Sequence, residues 1–215
     1  ACNYYDHPSR EFKLVGVTGT KGKTTTTYMI KSILEKAGKK VGLIGTIANY
    51  LGDRVIESQR TTPESLDLQK MFREMADEKV DVVVMEVSSH SLALDRVYGN
   101  TFDIAIYTNL SQDHLDFHKT FDNYLAAKAK LFTMAKEGYV NADDMYAKKL
   151  MAMATCPITT YGIDNNPYVC ARDIIITNSY SDFKMPFNRV IQRIKVDIPG
   201  RFTVYNALAA ICASI

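Results

Sequence analysis

The run from Val80 to Val87 reads Val-Asp-Val-Val-Val-Met-Glu-Val and leaves almost no polar face. A strand turns alternate side chains to opposite faces of its sheet, so a run this apolar predicts a strand covered on both sides. Helices on both faces of a mostly parallel sheet are the architecture that supplies such cover. The rest of the chain keeps the same rhythm. Strands are predicted over Lys13–Val17, Val41–Gly45, Val80–Glu86 and Asp103–Thr108, with a weaker one over Tyr139–Asn141. Between them, Thr25–Ala37, Ser65–Asp77 and Tyr124–Ala135 carry helical periodicity, with Tyr28, Met29, Ile33, Leu34 and Ala37 as the apolar stripe of the first. Ile47–Gln59 interrupts the alternation, and Leu51-Gly52-Asp53-Arg54 reads as a hairpin turn. Beyond Thr160 the pattern turns to short β-rich stretches, Tyr168–Thr177 and Val190–Ile198. The predicted fold is therefore α/β, a P-loop sheet, mostly parallel and flanked by helices, with a small β-rich appendage after about residue 160.

The most specific signal follows the first strand. Thr18-Gly19-Thr20-Lys21-Gly22-Lys23-Thr24 joins the apolar run Leu14, Val15, Val17 to a helix. Gly19 and Gly22 permit torsions and close approaches that let successive N–H groups face anionic oxygens, and the helix start adds its positive end. Lys23 can reach the β- and γ-phosphates, and the Thr24 hydroxyl can join Mg²⁺. The pattern departs from the strict Walker form, since Val17 stands where its first glycine would. The helix then opens on threonines 24 to 27, poor interior helix formers, which fits a start kept for function. The expected ligand is a nucleoside triphosphate, with an incidental lysine in an ordinary strand–turn–helix as the alternative.

Ligands of open α/β sheets collect at the carboxyl ends of the strands. Glu86-Val87-Ser88-Ser89-His90 and Asn109-Leu110-Ser111-Gln112-Asp113-His114 both fall there and are expected to share the crevice of the phosphate loop. Glu86 is placed to be a metal carboxylate, or a strand-end charge that escapes to solvent. His114 and His118, four apart, have the spacing of a zinc pair, or of a polar helix start with satisfied histidines, which spacing alone favours. Thr61-Thr62-Pro63-Glu64 reads as a turn and helix start, with proline near the first helical position. Of Lys128 and Lys130, one should face inward and periodicity does not say which; a solvated face is the default for both.

Composition excludes several classes. A formal charge of +2 over 215 residues gives no argument for nucleic acid or an anionic membrane. No apolar run approaches a bilayer span, and no signal peptide is visible. The four cysteines are scattered without CxxC spacing, so neither disulfides nor zinc is indicated. The expected setting is the cytoplasm. Residues 1–12 read as a linker remnant, and the last helical segment, from Tyr205, stops without a cap.

Taken together, Thr18–Thr24, Thr61-Thr62-Pro63, Glu86–His90, Asp113-His114-Leu115-Asp116, Ala127-Lys128 and Gly200-Arg201-Phe202 through Asn206 resemble, in that order, the Mur ligase family. The Thr-Thr-Pro turn and the Glu-Val-Ser-Ser-His stretch resemble most its MurE type, the ligases that act on UDP-N-acetylmuramoyl-dipeptide. The resemblance implies that residues 13–215 are the central ATP-binding domain of a cytoplasmic three-domain enzyme, with a UDP-binding domain before it and an amino-acid-binding domain after it. It implies ATP and Mg²⁺ as cofactors, and a UDP-muramoyl-dipeptide and an amino acid, lysine or diaminopimelate, as substrates. The product is an amide formed through an acyl phosphate.

Residue by residue, the resemblance makes Lys23, Lys128 and His114 catalytic. Gly19, Thr20, Lys21, Gly22, Lys23, Thr24, Thr25 and Asn206 bind nucleotide. Thr61, Thr62, Ser88 and Arg96 contact the muramoyl-peptide, and Thr24, Glu86, His114 and Lys128 hold metal. Lys128 matches a lysine carried as a carbamate, an anion that can hold Mg²⁺ where an ammonium would repel it. Leu94 stands where some members have a substrate-contacting glutamine, and Thr203 where asparagine is frequent, which leaves Asn206 for adenine. A relative with another acceptor, such as folylpolyglutamate synthase, and a non-catalytic nucleotide-binding module are the alternatives. Without its flanking domains the fragment is expected to be inactive in amide formation.

Overall fold

The valine run is the middle of a mixed sheet. In the computed structural model, which describes residues 1–52, 54–187 and 190–214, strand β5 (Val82–Glu86) lies parallel between β1 (Lys13–Thr18) and β2 (Val41–Ile44). Beyond β1 come β6 (Phe102–Tyr107), β7 (Ala135–Asn141), β8 (Ile158–Gly162) and β9 (Val169–Cys170), all parallel. Beyond β2, the hairpin of β3 (Ala48–Leu51) and β4 (Arg54–Glu57) is antiparallel and ends the other edge. Leu51 pairs with Arg54 across the predicted turn; Asp53 of that turn lies outside the described residues.

Alternation along β5 explains the run. Val83 and Met85 point into one core, with Leu68, Phe72 and Met75 of α2 (Ser65–Asp77) and Leu92 of α3 (Ser89–Ala93). The same core takes Leu125 of α5 (Phe121–Ala129) and Leu150 of α6 (Ala147–Met151). Val82 and Val84 point into the other, with Ile30 of α1 (Lys23–Lys36) and Val204 and Leu208 of α7 (Arg201–Cys212). Each fully buried valine or leucine contributes about 1.5–3 kcal/mol, so both faces of the sheet stabilise the fold.

Several boundaries differ from the sequence reading. α1 begins at Lys23, and it buries Thr26, Thr27 and Ile30 while Ile33 stays 37% exposed. The small residues Ala207 and Ala210 of α7 pack across this face and admit threonine where the apolar stripe was expected. The predicted helix to Ala135 starts at Phe121, where the Thr120 side chain accepts the Asn123 N–H, and passes through a 3₁₀ turn at Lys130–Thr133. Ala135 opens β7 instead. Pro63 stands outside α2, whose N-cap is Glu64. Residues 1–12 form two 3₁₀ turns, Cys2–Tyr5 and Pro8–Arg10, beside α2, with Pro8, Ser9 and Phe12 buried. The appendage is a separate antiparallel sheet of β10 (Arg172–Ile176), β11 (Ser181–Phe187) and β12 (Val190–Val196). It starts later than Thr160, because β8 and β9 continue the main sheet. Phe183 and Met185 tie it to the core under α7.

Candidate active site

The loop between β1 and α1 is held by its own side chains and by the loop after β6. Thr108 Oγ1 and Asn109 Nδ2 donate to the Lys21 carbonyl at 2.7 and 2.9 Å, and the Lys21 N–H donates to Asn109 Oδ1 at 2.9 Å. Thr20 is buried; its hydroxyl accepts the Ser111 N–H at 3.0 Å and lies 3.2 Å from the Tyr124 hydroxyl. Gly19 and Gly22 have φ of 149° and 87°. A Cβ on Gly19 would stand 1.9 Å from Thr108 Oγ1, and one on Gly22 2.5 Å from Asn206 Oδ1. The N-cap Gly22 has no side chain to cap α1, so the first N–H groups of the helix have no cap from that position. The loop is built as an anion cradle.

Lys23 folds back over the loop, donating to the carbonyls of Gly19 (2.9 Å) and Thr20 (3.0 Å). Burial holds its pKa below the ordinary ammonium value, against the carboxylates of Glu86 and Asp113. Lys128 reaches the same Gly19 carbonyl from α5 at 2.8 Å and lies over the Tyr124 ring at 4.4 Å. It is 1% exposed, which overturns the solvated-face default; Lys130 is the outward one, at Leu92 O and Asp95. Burial first, then the Lys23 cation, pushes Lys128 well below its ordinary pKa, with Asp113 opposing. A buried amine biased toward the neutral form is a nucleophile toward CO₂.

Glu86, at the end of β5, does not escape to solvent; it is 1% exposed. Its Oε1 accepts from Thr24 Oγ1 (3.0 Å) and the Thr46 N–H (2.9 Å), and its Oε2 from Thr46 Oγ1 (3.1 Å). A Cβ on Gly45 would come within 2.6 Å of Oε1. No lysine or arginine forms an ion pair with this carboxylate among the described residues. A buried carboxylate without a cation is costly, so the position suits a metal ion. No three His, Cys, Asp or Glu side chains converge on one cation position among the described residues. A metal set here therefore needs Thr24 and oxygens from phosphate or water. That donor chemistry, hard oxygen ligands around one or two carboxylates, is the chemistry of Mg²⁺.

His114 caps α4 (Leu115–His118) with φ of 50° and is half exposed. Its ring meets His90 at 4.7 Å and Tyr124 at 6.4 Å, which puts it on the Lys128 side of the crevice. His118 is buried, stacked on Tyr124 at 4.9 Å, and bonded through Nε2 to Ser89 Oγ at 2.9 Å. Burial and then His90 push its pKa down to about 4. With Nε2 taken up by Ser89 and the ring buried against Tyr124, it is a structural histidine, and the zinc-pair reading falls.

At the turn before α2, Thr62 Oγ1 donates to Glu86 O at 2.8 Å and accepts the Ser88 N–H at 3.1 Å, while the Thr61 and Thr46 hydroxyls lie 3.0 Å apart. Ser88 Oγ caps α3 by accepting the Ser91 N–H. Arg96 pairs with Glu64 at 2.9 Å, and its Nε is buried without a partner among the described residues. Leu94, at the end of α3, is 53% exposed. On the other flank of the loop, Lys21, Gly22, Thr25, Asn206, Phe202 and Tyr205 line a cleft of about 520 Å³ with Asn141, Asp143 and Asp144. Thr203 faces the core, fully buried, and Asn206 faces the cleft.

Residues 17–214 match the Mur ligase middle domain. The chain belongs to the Mur ligase family. A UDP-N-acetylmuramoyl-L-alanyl-D-glutamate–2,6-diaminopimelate ligase of Clostridium botulinum is 54% identical over 213 residues, 99% of this chain and 44% of that protein. A ligase of the same name in Clostridium acetobutylicum is 52% identical over 99% of this chain and 44% of its own length. The chain thus spans under half the length of the Mur ligases it matches. A solved structure of a diaminopimelate ligase of that name superposes with TM-score 0.85 at 29% identity, over 94% of this chain and 43% of that one. Folylpolyglutamate synthase of Mycobacterium tuberculosis, solved with ADP, superposes at TM-score 0.77 and 16% identity, covering 99% of this chain and 56% of that one. The latter likeness is one of fold.

Among the site features, Thr46, Asp143 and Asp144 were not singled out from the sequence. Thr46 follows β2, and Asp143 and Asp144 follow β7, so the strand-end rule that found Glu86 could have found them too.

Proposed function

We propose that this chain is the ATP- and acceptor-binding part of a ligase that joins an amino acid to UDP-N-acetylmuramoyl-L-Ala-D-Glu. The observation that carries the reading is the buried Glu86 carboxylate, without a cation of its own and bonded to Thr24 of an anion-binding loop. The relatives above half identity are diaminopimelate ligases by name, which favours diaminopimelate over lysine as the amine. The same relatives count against a folate acceptor, and the intact set of Lys23, Glu86, His114 and Lys128 counts against a non-catalytic module. A cytoplasmic setting follows from a nucleotide-linked substrate; no described helix is long and apolar enough to cross a membrane.

In this reading the loop N–H groups and Lys23 hold the β- and γ-phosphates, and the cleft at Asn206 takes adenine. Thr61, Thr62, Ser88 and Arg96 hold the muramoyl-peptide on the far side of Glu86. The two sides meet at the strand ends, where the peptide carboxylate attacks the γ-phosphate and ADP leaves. Both reactants are anions, so the catalytic task is charge neutralisation and alignment. Lys23 supplies one fixed cation. Thr24 and Glu86 would hold Mg²⁺, which when bound supplies the remaining positive charge between carboxylate and phosphates. His114 and Lys128 would serve a second Mg²⁺, Lys128 as its carbamate; the buried amine beside Tyr124, biased toward its neutral form, and the buried neighbours Ala127 and Ala129 fit that modification. The amine of the incoming amino acid then attacks the acyl phosphate and expels phosphate.

The test is phosphate release by the full-length gene product with ATP, Mg²⁺ and UDP-N-acetylmuramoyl-L-Ala-D-Glu, with diaminopimelate and lysine supplied separately. Release that needs both the nucleotide-peptide and diaminopimelate is the expected result. Turnover with a folate or another muramoyl acceptor instead would discard the substrate and keep the mechanism.

A further inference from the structure

Thr46 stands in the turn after β2 and reaches both oxygens of the Glu86 carboxylate. Its N–H donates to Oε1 at 2.9 Å and its hydroxyl to Oε2 at 3.1 Å. The turn itself is held from beneath, where the side chain of buried Asn49 accepts the Gly45 N–H at 3.2 Å. On its other side the Thr46 hydroxyl lies 3.0 Å from Thr61 Oγ1. A hydroxyl has a single proton, and a carboxylate only accepts. Thr46 gives its proton to Glu86, so the proton between the two threonines is that of Thr61. The three side chains form a directed chain, Thr61 O–H to Thr46 O–H to Glu86 Oε2.

A second tie joins the same two places, but it ends on the backbone: Thr62 Oγ1 donates to the Glu86 carbonyl at 2.8 Å. That bond is blind to what the carboxylate holds, and the Thr46 bond is not. Of the roughly four lone-pair sites of a carboxylate, Thr24 and the Thr46 N–H take two on Oε1 and the Thr46 hydroxyl takes one on Oε2. Among the described residues this leaves one site on Oε2 for a cation, and Thr46 decides which one. Thr46 is exposed, so its hydroxyl has other staggered positions that face water. A ligand held at Thr61 removes that freedom, and a cation that binds afterwards finds the carboxylate already ordered. We infer that Thr46 is a positioning residue that sets Glu86 for its cation and couples it to the acceptor turn, so that acceptor and Mg²⁺ each tighten the binding of the other. The inference rests on the proposed reading of Glu86 as a Mg²⁺ ligand and of Thr61 as an acceptor contact.

The experiment is a Mg²⁺ titration of ADP binding by calorimetry on the full-length protein, with and without UDP-N-acetylmuramoyl-L-Ala-D-Glu. ADP has no γ-phosphate, so nothing turns over. In the wild type the acceptor should lower the Mg²⁺ concentration at half-effect about 5-fold or more. Thr46→Val keeps the shape and the backbone N–H. Without acceptor it should raise that concentration about 3- to 10-fold, the loss of one exposed hydrogen bond to the carboxylate. Its response to acceptor should fall below about 2-fold, with ADP affinity in excess chelator unchanged. Thr46→Ser, which restores the hydroxyl, should recover the response. A full acceptor response in Thr46→Val, or none in a wild type that binds the acceptor, would overturn the coupling and leave both sites standing. If Glu86→Gln overlays the wild type throughout, the metal site itself is wrong. If the acceptor binds no form at any Mg²⁺ concentration, the acceptor reading is wrong; in either case the inference goes with it.

Discussion

At Glu86 the structure departs most from what an isolated side chain would choose. A carboxylate 1% exposed, satisfied among the described residues only by Thr24, Thr46 and a backbone N–H, is tolerable in the free chain and well matched once a cation arrives. Glu86→Gln should therefore fold and lose its response to Mg²⁺. At ligand 100 times the dissociation constant, Mg·ADP stabilises the wild type by about 2.7 kcal/mol; a tenfold weaker variant gains about 1.4 kcal/mol at the same concentration. Thermal melts with and without Mg·ADP measure the difference directly, and equal gains would remove Glu86 from the site. Lys128 is tested by activity. Lys128→Ala should cut ligation by the full-length protein by about 10²–10³-fold, and added bicarbonate should restore little of it, since no amine remains to carry CO₂. Retained activity would end the carbamate reading. Gly22→Ala meets two obstacles at once, a φ of 87° and the Asn206 side chain at 2.5 Å. Strain of this kind costs about 1–3 kcal/mol, and nucleotide affinity should fall with it because Asn206 is the group displaced.

The elements show why some of this was legible and some was not. The valine strand, the glycine loop and α2 are local: each announces itself by periodicity or by glycine placement, and each is found where the sequence put it. The β3–β4 hairpin was also local. Lys128 was not, because its burial is imposed by Gly19 and Tyr124, which an alanine-rich helix does not foretell. β8 and β11 were missed because their cover is tertiary: Tyr161, Phe183 and Met185 pack in the core under α7, and Ile158 packs against the core on the opposite face. The loop after β8 belongs to the same class of tertiary feature. Asp143 accepts the N–H groups of Ile163 (2.6 Å), Asp164 (3.0 Å) and Asn165 (2.7 Å) and the Tyr205 hydroxyl (3.0 Å), which fastens one rim of the nucleotide cleft. Burial raises its pKa, and the four donors together outweigh burial and hold it below the usual carboxylate range. A lowered folded pKa contributes stability that is complete above the unfolded value and fades as pH falls through the folded one. Asp143→Asn should thus cost about 1.5–3 kcal/mol at pH 7 and raise the KM for ATP. The gap in melting temperature should close below about pH 4. A gap that stays constant down to pH 3 would mean that the charge of Asp143 does not fasten the loop.

For the molecule as a whole, the site is a rim rather than an enclosure. The loop, Glu86 and the Thr61–Thr62 turn all sit at the carboxyl end of one sheet, and Phe202, on the wall of the nucleotide cleft, is 62% exposed. An acyl phosphate formed on such a rim is open to water, and amide formation requires that water be excluded until the amine arrives. The Mur ligases that match this chain are more than twice as long, so they carry further parts beyond the matched region. The 215-residue chain alone is therefore expected to fold, to bind Mg·ADP weakly, and to make no amide. Calorimetry with ADP and product analysis with UDP-N-acetylmuramoyl-L-Ala-D-Glu, diaminopimelate and ATP would test both halves on the same preparation. Steady amide formation by the isolated chain would show that the sheet edge is sufficient as it stands. Binding without amide, together with activity in the full-length protein, would place the exclusion of water outside these residues and leave phosphate transfer as their share of the chemistry.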